Sequence, residues 1–204
     1  RGTEDQNEQN ARLWRHLLTW LKTHRRRQPL NGLILTLDLS ELARMGTSAR
    51  HASAQVLRTR LMDIADELQT RLPVYVVLTH IDTLHGAGDF FRQLDAQTRQ
   101  SLLGVSFSPD PAETTAWSGE LETFWDLWLS KLNAALSSTM LAPPAQTPPS
   151  DAFLFIRQLA GLQSFVQTTL SDMLAGEETA VFPVRGIYLS SVYQQGVPFD
   201  GFSR

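Results

Sequence analysis

Two apolar ribbons separated by a helix-length stretch set the pattern of the chain. Residues 33–39 (Leu-Ile-Leu-Thr-Leu-Asp-Leu) follow Pro29, and residues 74–79 (Val-Tyr-Val-Val-Leu-Thr) follow Pro73. Runs this apolar suit parallel strands covered on both faces. Between them, residues 48–71 carry Val56, Leu57, Leu61, Ile64 and Leu68 at spacings of three and four, the buried stripe of an amphipathic helix. Strand, helix, strand is the βαβ unit, whose crossover is right-handed in nearly all folds. The pattern predicts the middle of a doubly wound parallel α/β domain.

The flanks extend it. Residues 1–10 are polar and read as a frayed end. Residues 10–27 have helical periodicity, with Leu13, Leu17, Trp20 and Leu21 on one face and Trp14 and Leu18 beside them. Asp89 is a good N-cap for a helix over residues 90–103. Residues 104–108 alternate with period two, as an edge or third strand does, and Pro109 and Pro111 end it. Residues 118–140 form a helix whose apolar face, from Leu121 through Trp125 and Trp128 to Leu132, is unusually broad. A proline-rich connector follows, then a helix over residues 156–174 that stops at Gly176, and a last strand over residues 184–190. The expected organisation is an α/β core at 1–141, a connector at 142–150, and a mainly helical extension with a final strand at 151–204.

Composition narrows the class. With 204 residues, 42% hydrophobic and 19% charged, the chain can bury a core without staples, and it has no cysteine for disulfides, thiolate catalysis or thiolate metal sites. No apolar run reaches the roughly 18 residues of a membrane-spanning helix. The net charge of −3 argues against nucleic acid as a partner. It conceals an asymmetry: residues 1–100 hold 14 Lys+Arg against 11 Asp+Glu (+3), and residues 101–204 hold 4 against 10 (−6). Part of the basic excess is His24-Arg25-Arg26-Arg27, where cations complement a helix C-terminus or meet an acidic partner or anionic lipid. The chain opens at Arg1-Gly2 rather than Met and is expected to be a segment of a longer polypeptide.

Candidate chemistry gathers behind the second strand. Thr79-His80-Ile81-Asp82 stands where P-loop GTPases carry Asn-Lys-x-Asp, whose aspartate reads guanine at the carboxyl end of a strand. Thr79, His80 and Asp82 are therefore candidate nucleotide-base contacts, with the Ser190-Ser191 or Ser106–Ser108 loop as further lining. The alternative reading is that Asp82 caps its own loop. Asp38, at the end of the first strand, could face a ligand or cap the next turn. No Gly-x-x-x-x-Gly-Lys-Ser/Thr occurs, so the chain has no cradle for phosphates or magnesium, and no catalytic residue is assigned. The His80-x-Asp82-x-x-His85 spacing matches no closed metal site, and no metal is expected.

Several segments resemble one family. Residues 27–37 (Arg-Gln-Pro-Leu-Asn-Gly-Leu-Ile-Leu-Thr-Leu) resemble the "RRPINGVVLTVS" stretch of the IcmF-like (TssM) inner-membrane components of type VI secretion systems. Residues 72–82 resemble the family's "FPVYVLVTKxD", Phe90-Phe91 its "EFF", and residues 184–191 with Gln195-Gly196-Val197-Pro198 its "LRGVYFTSGTQEGTP". His80 replaces the usual lysine. The resemblance implies a partial P-loop-GTPase-like domain, lacking its P-loop half, on the cytoplasmic side of the bacterial inner membrane. It implies a docking role between the membrane complex and the baseplate, with TssL, TssK and other TssM copies as partners. Membrane contact would come only through transmembrane segments outside this chain. No cofactor is expected here, although a longer protein carrying a Walker A loop could bind Mg-NTP. The alternative is that this is the base-binding half of such an NTPase.

Overall fold

The computed structural model describes residues 2–70, 72–94, 104–107, 117–140, 150–174 and 182–190. The proline connector, Gly176, Ser191 and residues 195–198 lie outside the described residues. The two apolar ribbons are strands β1 (Leu33–Asp38) and β2 (Val74–Thr79), and they pair in parallel from Leu33↔Val74 to Asp38↔Thr79. The helix between them, α3 (Thr47–Leu68), is the expected crossover.

The last strand, β4 (Val184–Leu189), lies parallel to β2 on its other side. A short strand β3 (Gly104–Ser106) pairs antiparallel with β4, so the order is β1-β2-β4-β3. The sheet is thus mixed, not wholly parallel. An antiparallel edge strand satisfies the outer hydrogen bonds of β4 without another crossover. Residues 151–204, read from sequence as an extension, supply this internal strand. They also supply α6 (Ser150–Leu174), which packs on α3, on α5 (Trp117–Met140), on the short α4 (Ala87–Gln93) and on α2 (Leu39–Arg44).

One face of the sheet is dry. Leu37, Val74, Val76, Leu78, Ile187 and Leu189 point into a core shared with Trp125, Trp128, Phe155, Leu159 and Leu162. The other register differs: Ile34 is 72% exposed, Thr36 is exposed and Tyr75 is 38% exposed. The expectation of cover on both faces is therefore not met among the described residues. Tyr188 is half-buried on that side, and its hydroxyl hydrogen-bonds Ser106 Oγ at 2.7 Å.

Helix α1 runs from Gly2 to His24, so the N-terminal residues read as frayed are helical. It docks on α3 through a smaller cluster in which Leu18 meets Ile64, Leu68 and Leu72, with Trp14 and Leu21 packed against it. Trp14 Nε1 also donates to Asp63 Oδ2 at 3.1 Å. Leu13, Leu17 and Trp20, read from sequence as one apolar face with Leu21, face outward at 61, 46 and 48% exposure. On α3, Val56 likewise turns out, and Ala54 takes its place in the core. In both helices the apolar arc is wider than the partner surface, and the partner selects one part of it.

Candidate functional site

The carboxyl ends of β1 and β2 bring the candidate residues together. Asp38 ends β1 and is the N-cap of α2. Its Oδ1 accepts hydrogen bonds from Ser40 N (2.8 Å), Ser40 Oγ (2.7 Å) and Glu41 N (3.1 Å). These bonds satisfy donors that a helix start leaves orphaned. Sequence reading offered no helix here, yet Asp38-Leu39-Ser40-Glu41 has capping-box spacing, with an N-cap acceptor followed three residues later by glutamate.

The parallel register sets Asp38 opposite Thr79. His80, next in the chain, adopts a left-handed backbone (φ 59°, ψ 33°) that ends β2 and starts the 3-10 turn Ile81–Thr83. That turn aims His80 Nδ1 at Asp38 Oδ2, 3.1 Å away, and within 3.2 Å of Thr79 Oγ1. Thr79 Oγ1 donates to Leu37 O at 3.3 Å, and Thr83 Oγ1 donates to His80 O at 2.6 Å. Asp82 is half-buried in the first turn of the 3-10 helix, with Oδ1 shielded from solvent. Ser190 reaches this edge through its backbone, donating N–H to Leu78 O at 2.8 Å. Ser106 does not: it pairs with Gly186, level with Tyr75 near the opposite end of the sheet.

The electrostatics follow from this geometry. Burial pushes the Asp38 carboxyl up, but the bonds from Ser40 Oγ and Glu41 N, the His80 charge and the Ser40 N–H outweigh it, and the pKa lies below its ordinary value. A carboxyl depressed on folding stabilises the fold at pH values above its unfolded pKa, and loses that contribution as pH falls through the folded one. Asp38→Ala is expected to cost about 1 kcal/mol near neutral pH through loss of the cap. In urea titrations from pH 7 down to pH 3, the gap between wild type and this variant should hold until about pH 5 and narrow below about pH 4. A pH-independent gap would show that the charge on Asp38 contributes nothing.

Chemically the cluster is engaged with itself. Ser40 and His80 both bind Asp38, on different oxygens, whereas nucleophilic catalysis needs the hydroxyl on the imidazole and the imidazole on the carboxylate. The cavity bounded by Thr36, Asp38, Glu41, Met45, Arg50 and Thr169 holds about 120 Å³. Ligand pockets for molecules of nucleotide size run from about 300 Å³ upward. His85 points elsewhere, its Nε2 lying 3.9 Å from Asp151 Oδ1 on α6. Among the described residues no group of three or more His, Asp or Glu is placed to hold a metal ion.

Fold and site together define an α/β domain whose strand-end carboxylate is used to build the scaffold. The family model of the IcmF-related N-terminal domain matches residues 7–204, and the chain belongs to that family. It is 29% identical over 203 residues to the type VI secretion system component TssM1 of Pseudomonas aeruginosa. That match covers 97% of this chain and 18% of the relative, so the chain spans under a fifth of that protein's length. No solved structure matches the chain significantly. The family resemblance carried by residues 27–37, 72–82 and 184–191 is borne out. No helix among the described residues is long and apolar enough to cross a membrane.

Proposed function

We propose that this chain is a structural and docking domain of a type VI secretion membrane-complex subunit. It sits on the cytoplasmic side of the inner membrane and links the membrane complex to the baseplate. The family match over residues 7–204 carries this reading. The internally paired Asp38–His80 cluster supports a scaffold role, because its polar groups are committed to one another. The three parallel strands β1, β2 and β4, with Asp82 at their carboxyl edge, support kinship with half of a P-loop-GTPase-like sheet. The partners in this reading are TssL, TssK and further TssM copies.

The second reading is the base-binding half of an NTPase, with Thr79, His80 and Asp82 at the purine. It is favoured by the convergence of Asp82 and the Ser190 backbone on one sheet edge. One paired experiment separates the two. Immobilised chain is expected to retain TssL or TssK from defined mixtures, and calorimetry with Mg-GTP and Mg-ATP is expected to show no heat of binding. Micromolar nucleotide affinity with neither protein retained would reverse the assignment.

A further inference from the structure

The docking reading makes no use of the outward strip of α1. Residues 9–37 contain six cations, Arg12, Arg15, Lys22, Arg25, Arg26 and Arg27, and no acidic residue, in a chain of net charge −3. Leu13, Leu17 and Trp20 recur at four and three residues on this helix and stand 46–61% exposed. They are not a disordered stripe awaiting a core, because the neighbouring arc of Trp14, Leu18 and Leu21 already fastens α1 to α3. The helix is thus held with a second apolar strip facing away from the body.

The charges continue that strip. Leu13 to His24 spans about 17 Å of helix, and Arg25, Arg26 and Arg27 follow directly on its end. Trp20 stacks on His24, ring centroids 4.8 Å apart, where strip and cluster meet. Arg25, Arg26 and Arg27 are exposed, and no carboxylate of the described residues pairs with them. Lys22 is engaged by Glu67 at 3.3 Å. Lys22, Arg26 and Arg27 also border a groove of about 470 Å³ whose other polar lining, Gln28, Asn31, Gln69 and Thr70, is neutral. An exposed apolar strip with Trp at its margin, beside cations that no carboxylate of the described residues pairs, has the chemistry of a helix lying in the headgroup layer of an anionic bilayer.

We propose that α1 docks this domain directly on an anionic membrane surface. Leu13, Leu17 and Trp20 enter the interface, and Arg25, Arg26 and Arg27 meet lipid phosphates. This goes beyond the expectation that membrane contact belongs only to segments outside the chain, and it stands independently of the docking role.

The test is flotation of the full 204-residue chain with vesicles of phosphatidylcholine alone or with 40% phosphatidylglycerol. Binding is expected only to the anionic vesicles. It should fall about tenfold or more in the R25Q/R26Q/R27Q variant and on raising salt from 0.1 to 0.5 M. The L13S/L17S/W20S variant should also lose binding while keeping the wild-type melting transition, since these side chains are exposed. Quenching by brominated lipid should disappear in Trp20→Phe. Equal binding to neutral vesicles, or binding to neither, overturns the proposal. So does anionic binding unaffected by L13S/L17S/W20S, which leaves a charge contact without insertion. Concentration-dependent self-association that this variant abolishes, without vesicle binding, would assign the strip to a second copy instead.

Discussion

Gly86→Ala is expected to lower stability by about 4 kcal/mol and the melting temperature by roughly 10 °C. Gly86 has φ 79° and ψ −4° and is the N-cap of α4. In that left-handed conformation a Cβ costs about 1–2 kcal/mol alone. The larger cost is steric. A Cβ on Gly86 overlaps the backbone carbonyl of Asp151 and lies 3.3 Å from Ala152 N, so the obstacle is the first turn of α6 and not a side chain that can swing away. The same seat is braced by Gln158 Nε2, which donates to His85 O at 3.0 Å. To admit one methyl group, α6 must lift off the 80–86 loop. Gly88 is the control: it lies within α4, with nothing within 4 Å of its would-be Cβ. Gly88→Ala is expected to stabilise by about 0.5–1 kcal/mol. Urea unfolding of both variants decides the matter, and a cost below 1 kcal/mol at Gly86 would mean that α6 does not rest on this loop.

The same seat shows where sequence reading reaches and where it stops. β1, α3 and β2 were legible because each is written in local periodicity: two continuous apolar runs and one stripe at three and four. The parallel pairing followed from the length of the insert. What a stripe faces is not local. Leu13 and Val56 sit on the same apolar arcs as Leu18 and Leu61, and the neighbouring elements decide which are covered: α3 covers Leu18, and the main core covers Leu61. β4 was legible as a strand, but its place between β2 and β3 depends on long-range pairings, Val76↔Ile187 on one side and Val105↔Ile187 on the other. The Asp38–His80 contact is non-local in the same way. Sequence offered Asp38 as ligand-facing or capping and His80 as a base contact. The register Asp38↔Thr79 makes the two residues neighbours, so that Asp38 caps α2 and contacts His80 at once. The signal for the cap was present in Asp38-Leu39-Ser40-Glu41, whereas no sequence signal pairs residues 38 and 80.

Phe155→Ala is expected to cost about 3–5 kcal/mol, while Phe153→Ala, two residues away, should change stability by no more than about 0.5 kcal/mol. Both lie in the apolar run at residues 152–156, and nothing in that run separates them. The structure does. Phe155 is fully buried, its ring 5.3 Å from Phe90 and 5.5 Å from Phe91, whereas Phe153 is 58% exposed. Phe90 and Phe91 themselves meet edge to face at 5.5 Å. Each such pair contributes about 0.5–1.5 kcal/mol beyond area burial. Truncating Phe155 removes one buried ring of a three-ring cluster and leaves a cavity there. Phe155→Leu, which refills most of the volume, should recover more than half of the loss. The consequence extends to the candidate site, because this cluster holds α4 against α6, and α4 in turn packs on the turn carrying Asp82. Amide exchange at residues 80–94 should therefore accelerate in Phe155→Ala more than exchange in β1 and β2 does. Equal costs at Phe153 and Phe155 would place the buried face of α6 on a different register.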